Sequence, residues 1–99
     1  MVQKLIWSET ALTQKISTYA YWTERNGSKK YAQQIEKEVQ NWLNLLKRFP
    51  DLGSDTEFVS VKSVTINKYF KLFYRTNSDV IEILYFWDVR RDPDDIHIP

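Results

Sequence analysis

Val80-Ile81-Glu82-Ile83-Leu84-Tyr85-Phe86-Trp87-Asp88 is the stretch on which the fold turns. Alternation puts Ile81, Ile83, Tyr85 and Trp87 on one side and Val80, Leu84 and Phe86 on the other, so a strand built from it is apolar on both faces. Strands of that kind lie inside a sheet that is covered above and below. Working upstream, Thr76-Asn77-Ser78-Asp79 reads as a turn, and residues 69–75 alternate Phe70, Leu72 and Tyr74 against Tyr69, Lys71, Phe73 and Arg75. Asn67-Lys68 serves as a hairpin turn before that strand. Val59 and Val61 share one phase while Val64 and Ile66 share the other, a slip that predicts a β-bulge or bend at Lys62-Ser63. Residues 51–57 form a polar loop.

The first half of the chain has a different period. Residues 2–7 alternate as a short strand. Ser8 is an N-cap with Glu9 in the first turn, and Leu12, Ile16, Tyr19 and Ala20 make a helical stripe that Asn26-Gly27 ends. Ser28 caps a second helix, whose stripe is Tyr31, Ile35, Val39, Trp42, Leu46 and Phe49, with Ala32 and Leu43 beside it and Pro50 as the stop. Lys29, Lys30, Glu36, Lys37, Glu38 and Lys47 read as a solvated face of mixed sign. The short link makes the helices an antiparallel hairpin. The order strand, helix, helix, strand, strand, strand is α+β: a helical hairpin on a mostly antiparallel sheet of about four strands. Two helices cover one face, so the other needs the C-terminal tail, a second subunit of a homodimer, or a partner chain.

Composition narrows the function. The 99 residues match one domain, and 42% apolar with 27% charged residues is a globular balance. A net charge of +1 argues against coating nucleic acid by charge alone, though it leaves room for a local basic patch. The absence of cysteine removes disulfides, thiolate metal sites and thiol nucleophiles, and the lone histidine, His97, removes a multi-histidine metal site. Glu57, Glu82 and Asp88 match no metal spacing, and no cofactor motif is present. No apolar run approaches the roughly 20 residues of a membrane span and no signal peptide is visible, which makes the cytoplasm the expected compartment. Four Trp, six Tyr and five Phe are more aromatic surface than one small core readily hides. Trp7, Trp42 and Trp87 stand at core-phase positions; Trp22 falls off the Leu12–Ile16–Tyr19 line and is the aromatic expected at the surface.

Several stretches together resemble one family. They are Ile6-Trp7-Ser8 with Ala11 and Leu12, then Leu45-Leu46-Lys47-Arg48-Phe49-Pro50, then Tyr69-Phe70-Lys71-Leu72-Phe73-Tyr74-Arg75, and finally residues 80–93 running into Arg90-Arg91-Asp92-Pro93. Over about residues 3–94 the chain resembles the RelE/ParE superfamily of toxins from bacterial type II toxin–antitoxin modules. The resemblance implies a small α+β toxin, associated with growth inhibition and plasmid stabilization, and neutralised when a cognate antitoxin lays a helix or extended segment over it. Trp22, Phe86 and Trp87 are the candidate anchors for that partner.

The superfamily implies two targets. ParE-like members poison DNA gyrase and cut nothing themselves; RelE-like members cleave mRNA on the ribosome. Metal-free cleavage needs a base for the 2′-hydroxyl, cations for the charge developing on phosphorus, and an acid for the leaving oxygen. Matched to the nuclease branch, Lys71 would stabilise charge, Arg91 would clamp phosphate and His97 would be general acid or base, with Lys71, Arg75 and Arg90 as nucleic-acid contacts. Near-neutral charge, and Asp92, Asp94 and Asp95 between Arg91 and His97, favour the gyrase-directed reading. A family member that retains only partner binding is the third.

Overall fold

A computed structural model describes residues 4–89. The chain runs through β1 (Lys4–Trp7), α1 (Glu9–Asn26), α2 (Lys30–Arg48), β2 (Ser54–Asp55), β3 (Lys62–Ile66), β4 (Phe70–Asn77) and β5 (Val80–Asp88). The five strands lie in the order β1-β5-β4-β3-β2, with β1 parallel to β5 and every other pair antiparallel. The fold is α+β, with one strand more than expected: β2, two residues long, pairs Ser54 with Ser63. Its residues are polar and have no period to betray them.

Each helix boundary has a local cause. Ser8 is extended, and its Oγ accepts the Ala11 N–H at 3.0 Å, as an N-cap does. Gly27 takes φ 64°, the left-handed conformation that closes α1. Ser28 sits one residue earlier than a cap would: Lys29 is the N-cap of α2 and makes no side-chain capping bond, while Ser28 Oγ accepts the Lys30 N–H at 3.2 Å. Beyond α2 the chain is pinned by Tyr74, whose hydroxyl donates to the Pro50 carbonyl at 2.8 Å and accepts the Gly53 N–H at 2.9 Å.

The helix-facing core joins Ile35, Val39 and Leu46 of α2 to Ile66, Phe70, Leu72, Tyr74, Ile81 and Ile83 of the sheet, all fully buried. Asn67 (φ 49°) and Lys68 (φ 46°) form the expected turn between β3 and β4. The expected bulge at Lys62-Ser63 is not there, since β3 pairs continuously with β4. The phase slip comes instead from a turn at Ser60 (φ 62°), which leaves Val59 92% exposed and starts the strand afresh at Lys62.

The true irregularity is in β5. Phe73 pairs with Tyr85 and Tyr74 with Ile83, so Leu84 is the extra residue. The bulge shifts the alternation: Ile81, Ile83 and Phe86 face the helices, whereas Leu84, Tyr85 and Trp87 join Val61 and Phe73 on the opposite side. That corrects the assignment of Tyr85 and Trp87 to the Ile81 side and of Phe86 to the Leu84 side. β1 ends at Trp7, and α1 takes over its pairing. The Ser8 N–H donates to the Ile83 carbonyl, Ser8 Oγ to the Leu84 carbonyl at 3.1 Å, and Gln14 Oε1 accepts the Phe86 N–H at 2.9 Å.

The second sheet face was expected to have no cover of its own. Residues 56–61 provide some. Phe58 sets its ring against Phe73 at 6.3 Å, and Val61 is buried among Phe73, Leu84, Tyr85 and Trp87. Thr56 Oγ1 closes this loop by donating to the Val61 carbonyl at 2.9 Å and accepting the Phe58 N–H at 3.1 Å.

Candidate interaction surface

Of the α1 stripe predicted to be core, Tyr19 packs inward as expected, but Leu12, Ile16 and Ala20 point outward. Leu12 is 41% and Ile16 58% exposed, and only Ala11 of α1 is fully buried. The inward face lies one residue round the helix, at Ala11, Lys15, Tyr19 and Trp22. Lys15 sets its ammonium 4.6 Å over the Trp7 ring, Tyr19 meets Phe86 edge-on at 6.0 Å, and Trp22 meets Tyr31 at 5.4 Å. With aromatic and aliphatic-stemmed side chains buried beneath it, α1 keeps its branched apolar residues for the surface.

Those residues border an open groove of about 830 Å³ between α1 and α2, with Leu12, Ile16 and Ala20 on one wall and Ala32 and Gln33 on the other. A polar cluster lies along its floor. Glu36 Oε1 accepts from Lys15 at 3.2 Å and from the Tyr19 hydroxyl at 2.8 Å, and Oε2 accepts from Gln40 at 2.9 Å. Burial pulls the Glu36 carboxyl upward, but the bonds from Tyr19 and Gln40 and the Lys15 charge outweigh it and hold the group below its ordinary value. The same contacts work the other way on Tyr19, whose phenol is raised first by burial and then by the Glu36 carboxylate. The cluster ties the two helices together and fixes the groove walls.

The second sheet face carries the two described cations of the nuclease assignment. Lys71, Phe73 and Arg75 share that face, as alternation requires. Arg75 is spoken for: its Nε lies 3.0 Å from Glu82 Oε1 directly across the strand pair. Lys71 stands four residues away along β4, about 13 Å at strand rise, so the two cannot grip one phosphate. A cleft of about 450 Å³ beside Lys71 is lined also by Asp55, Glu57, Phe58, Phe73 and Trp87. Its acids disfavour an anionic ligand, and Asp55 is paired with Lys62 at 2.8 Å. Among the described residues no group of three or more His, Asp or Glu side chains could hold a metal ion, and no helix is long and apolar enough to cross a membrane.

No protein-family model matches the sequence, and no curated protein does. The architecture does have solved counterparts. A chain of the structure described as "Chromosomal ParDE TA system from P. aeruginosa" superposes with a TM-score of 0.73 at 18% identity, over 88% of this chain and 96% of that one. The chain has a RelE/ParE-like fold.

Within this ParE-like fold the candidate residues are dispersed. Trp22 is half-buried between Tyr21 and Tyr31, which corrects its expected exposure; Tyr21, 55% exposed, is the surface ring of that trio. Phe86, 2% exposed, stacks on Phe70 at 5.4 Å, and Trp87 is 4% exposed, so neither offers an anchoring surface in this conformation. Arg90, Arg91 and His97 lie outside the described residues. The groove of the ParE-like hairpin was not anticipated as a site. Its signal was present in the Leu12–Ile16–Ala20 stripe, but a period of 3.6 identifies an apolar face without saying what it faces.

Proposed function

We propose that this protein is the toxin of a toxin–antitoxin pair, and that its antitoxin binds in the groove between α1 and α2. The observation that carries the reading is the exposure of Leu12 and Ile16 over a groove whose floor is fixed by Glu36. Contiguous exposed apolar surface on so small a chain marks a docking site. From Leu12 to Thr23 the wall is about 16 Å long at helical rise, enough for three turns of an amphipathic helix. The likeness to a chain of a ParDE TA system supports an antitoxin as that partner.

The target proposed is DNA gyrase, as in ParE-like toxins, rather than mRNA. Supporting this is the distribution of cations on the second sheet face, where Arg75 is paired with Glu82 and Lys71 sits beside Asp55 and Glu57. Induction in a bacterial host tests both parts. Growth arrest with filamentation and a DNA-damage response, and inhibition of gyrase supercoiling by the purified protein, are the expected results. Codon-phased transcript cuts that disappear in Lys71→Ala would replace gyrase with mRNA, and unimpaired growth would remove the toxin reading altogether.

A further inference from the structure

α2 has a face that neither the core nor the groove uses. At about 100° per residue, Lys30, Lys37 and Arg48 fall within about 20° of one another around the helix, directly opposite the buried Ile35, Val39 and Leu46. Exposed Asn41 and Asn44 lie along the same stripe; Lys29 and Gln33 stand between it and the groove, whose lining they share, and Lys47 falls about 100° round the helix from Lys30. The carboxylates that made this helix read as mixed in sign are withdrawn from it. Glu36 is held by Lys15, Tyr19 and Gln40 in the groove, and Glu38 sits on the flank with its Oε2 out of solvent. Among the described residues none of the five cations makes an ion pair.

Two of these cations stand where folding gains nothing from them. Lys29 and Lys30 occupy the start of α2, whose first turn holds no acidic residue and whose cap makes no side-chain bond. Positive charge there opposes the helix dipole.

We propose that this face of α2 binds the phosphate backbone of duplex DNA. Cations alternating with amides, spread over about 27 Å of one helix, match a line of phosphates, to which Lys, Arg, Asn and Gln all donate. From Lys30 to Asn44 the stripe has no ring on which an unpaired base could stack, and the exposed Phe49, 5.8 Å from the Arg48 guanidinium, lies at its end, which disfavours single strands along it. The stripe's exposed apolar neighbours, Leu45 and Phe49, lie at its C-terminal end, away from Lys30 and Lys37, so it has no continuous apolar strip to enter a lipid surface or anchor an acidic protein. A helix on its own also fits the wide major groove of B-form DNA better than the deep, narrow one of A-form RNA. Lys30, Lys37 and Arg48 lie off the antitoxin groove, whose lining includes Lys29 and Gln33, so the site does not depend on that reading.

Fluorescence anisotropy with a labelled 20-base-pair duplex of arbitrary sequence, titrated between 50 and 200 mM NaCl, tests it. The protein should bind with log affinity falling against log salt at a slope of about −3 to −4, about −0.9 for each phosphate neutralised. Lys30→Glu/Lys37→Glu should weaken binding at least about tenfold and flatten the slope by about 2. Lys30→Glu alone should weaken binding while leaving the melting temperature unchanged or raised, because it removes a charge opposed to the dipole. That separates lost binding from lost folding. No binding at 50 mM salt, or equal binding by the double variant, overturns the proposal. So does tighter binding of the single-stranded 20-mer, of phosphatidylserine vesicles or of polyglutamate.

Discussion

Tyr74 shows how much a single atom can hold. Its ring is fully buried in the helix-facing core, and its hydroxyl serves both a donor and an acceptor from the strap after α2. Tyr74→Phe keeps the ring and strands the Gly53 N–H and the Pro50 carbonyl, so it should cost about 1–3 kcal/mol. Urea unfolding should read this as a lower midpoint at unchanged m. Gly53→Ala should also destabilise, since a Cβ there would lie 2.6 Å from the Tyr74 hydroxyl and 2.9 Å from the Ser63 carbonyl. Glu36 supplies a pH-dependent term. Its folded pKa is below the ordinary 4.5, so its contribution is present above that value and is lost as pH falls through the lower folded value. The stability gap between wild type and Glu36→Gln should therefore be constant near neutrality and close on acidification below about 4.5. A gap independent of pH would show that the carboxylate charge is not what the cluster uses. None of these roles is visible in sequence, because Tyr74 is merely in phase and Gly53 is merely in a loop until β4 brings them together.

At the scale of elements, periodicity found every helix and every strand except β2, and it identified the Asn67-Lys68 turn. It failed where a tertiary neighbour overrides the local pattern. On α1 the Leu12–Ile16 line is the most apolar face, yet the helix turns Lys15, Tyr19 and Trp22 inward, since the Trp7 ring takes a cation and Glu36 takes a hydroxyl. In β5 one extra residue at Leu84 moves Phe86 and Trp87 to faces that strict alternation forbids. The bulge stands where β1 gives way to the start of α1, and Ser8 and Gln14 cap the backbone it exposes. Gln14→Ala should leave the Phe86 N–H without its partner and cost about 1–2 kcal/mol, with faster amide exchange at Phe86 than in the wild type. Protection unchanged at that amide would mean that another group replaces Gln14. On α2, Lys29→Asp should stabilise by about 0.3–1 kcal/mol, by reversing a charge that opposes the dipole.

Over the whole molecule, the near-zero net charge is an average of unlike surfaces. Basic residues collect on the outward face of α2, while Asp51, Asp55 and Glu57 collect by the loop that covers the second sheet face. Composition alone could not separate them, because it counts Glu36 and Glu38 as though they were on the same face as Lys30 and Lys37. The aromatic excess is resolved in a similar way. Residues 56–61 and the bulged strand bury Phe73, Tyr85 and Trp87, so the surface proposed for the partner moves from these rings to the exposed Leu12 and Ile16 of the helical hairpin. The measurement that bears most directly on this account is growth rescue by the co-expressed antitoxin, comparing wild type with Ile16→Asp. Ile16 is exposed and isoleucine and aspartate have similar helix propensities, so the variant should fold within about 0.5 kcal/mol of wild type. It should stay toxic and no longer be rescued; full rescue of a toxic Ile16→Asp would show that the antitoxin binds somewhere other than this groove.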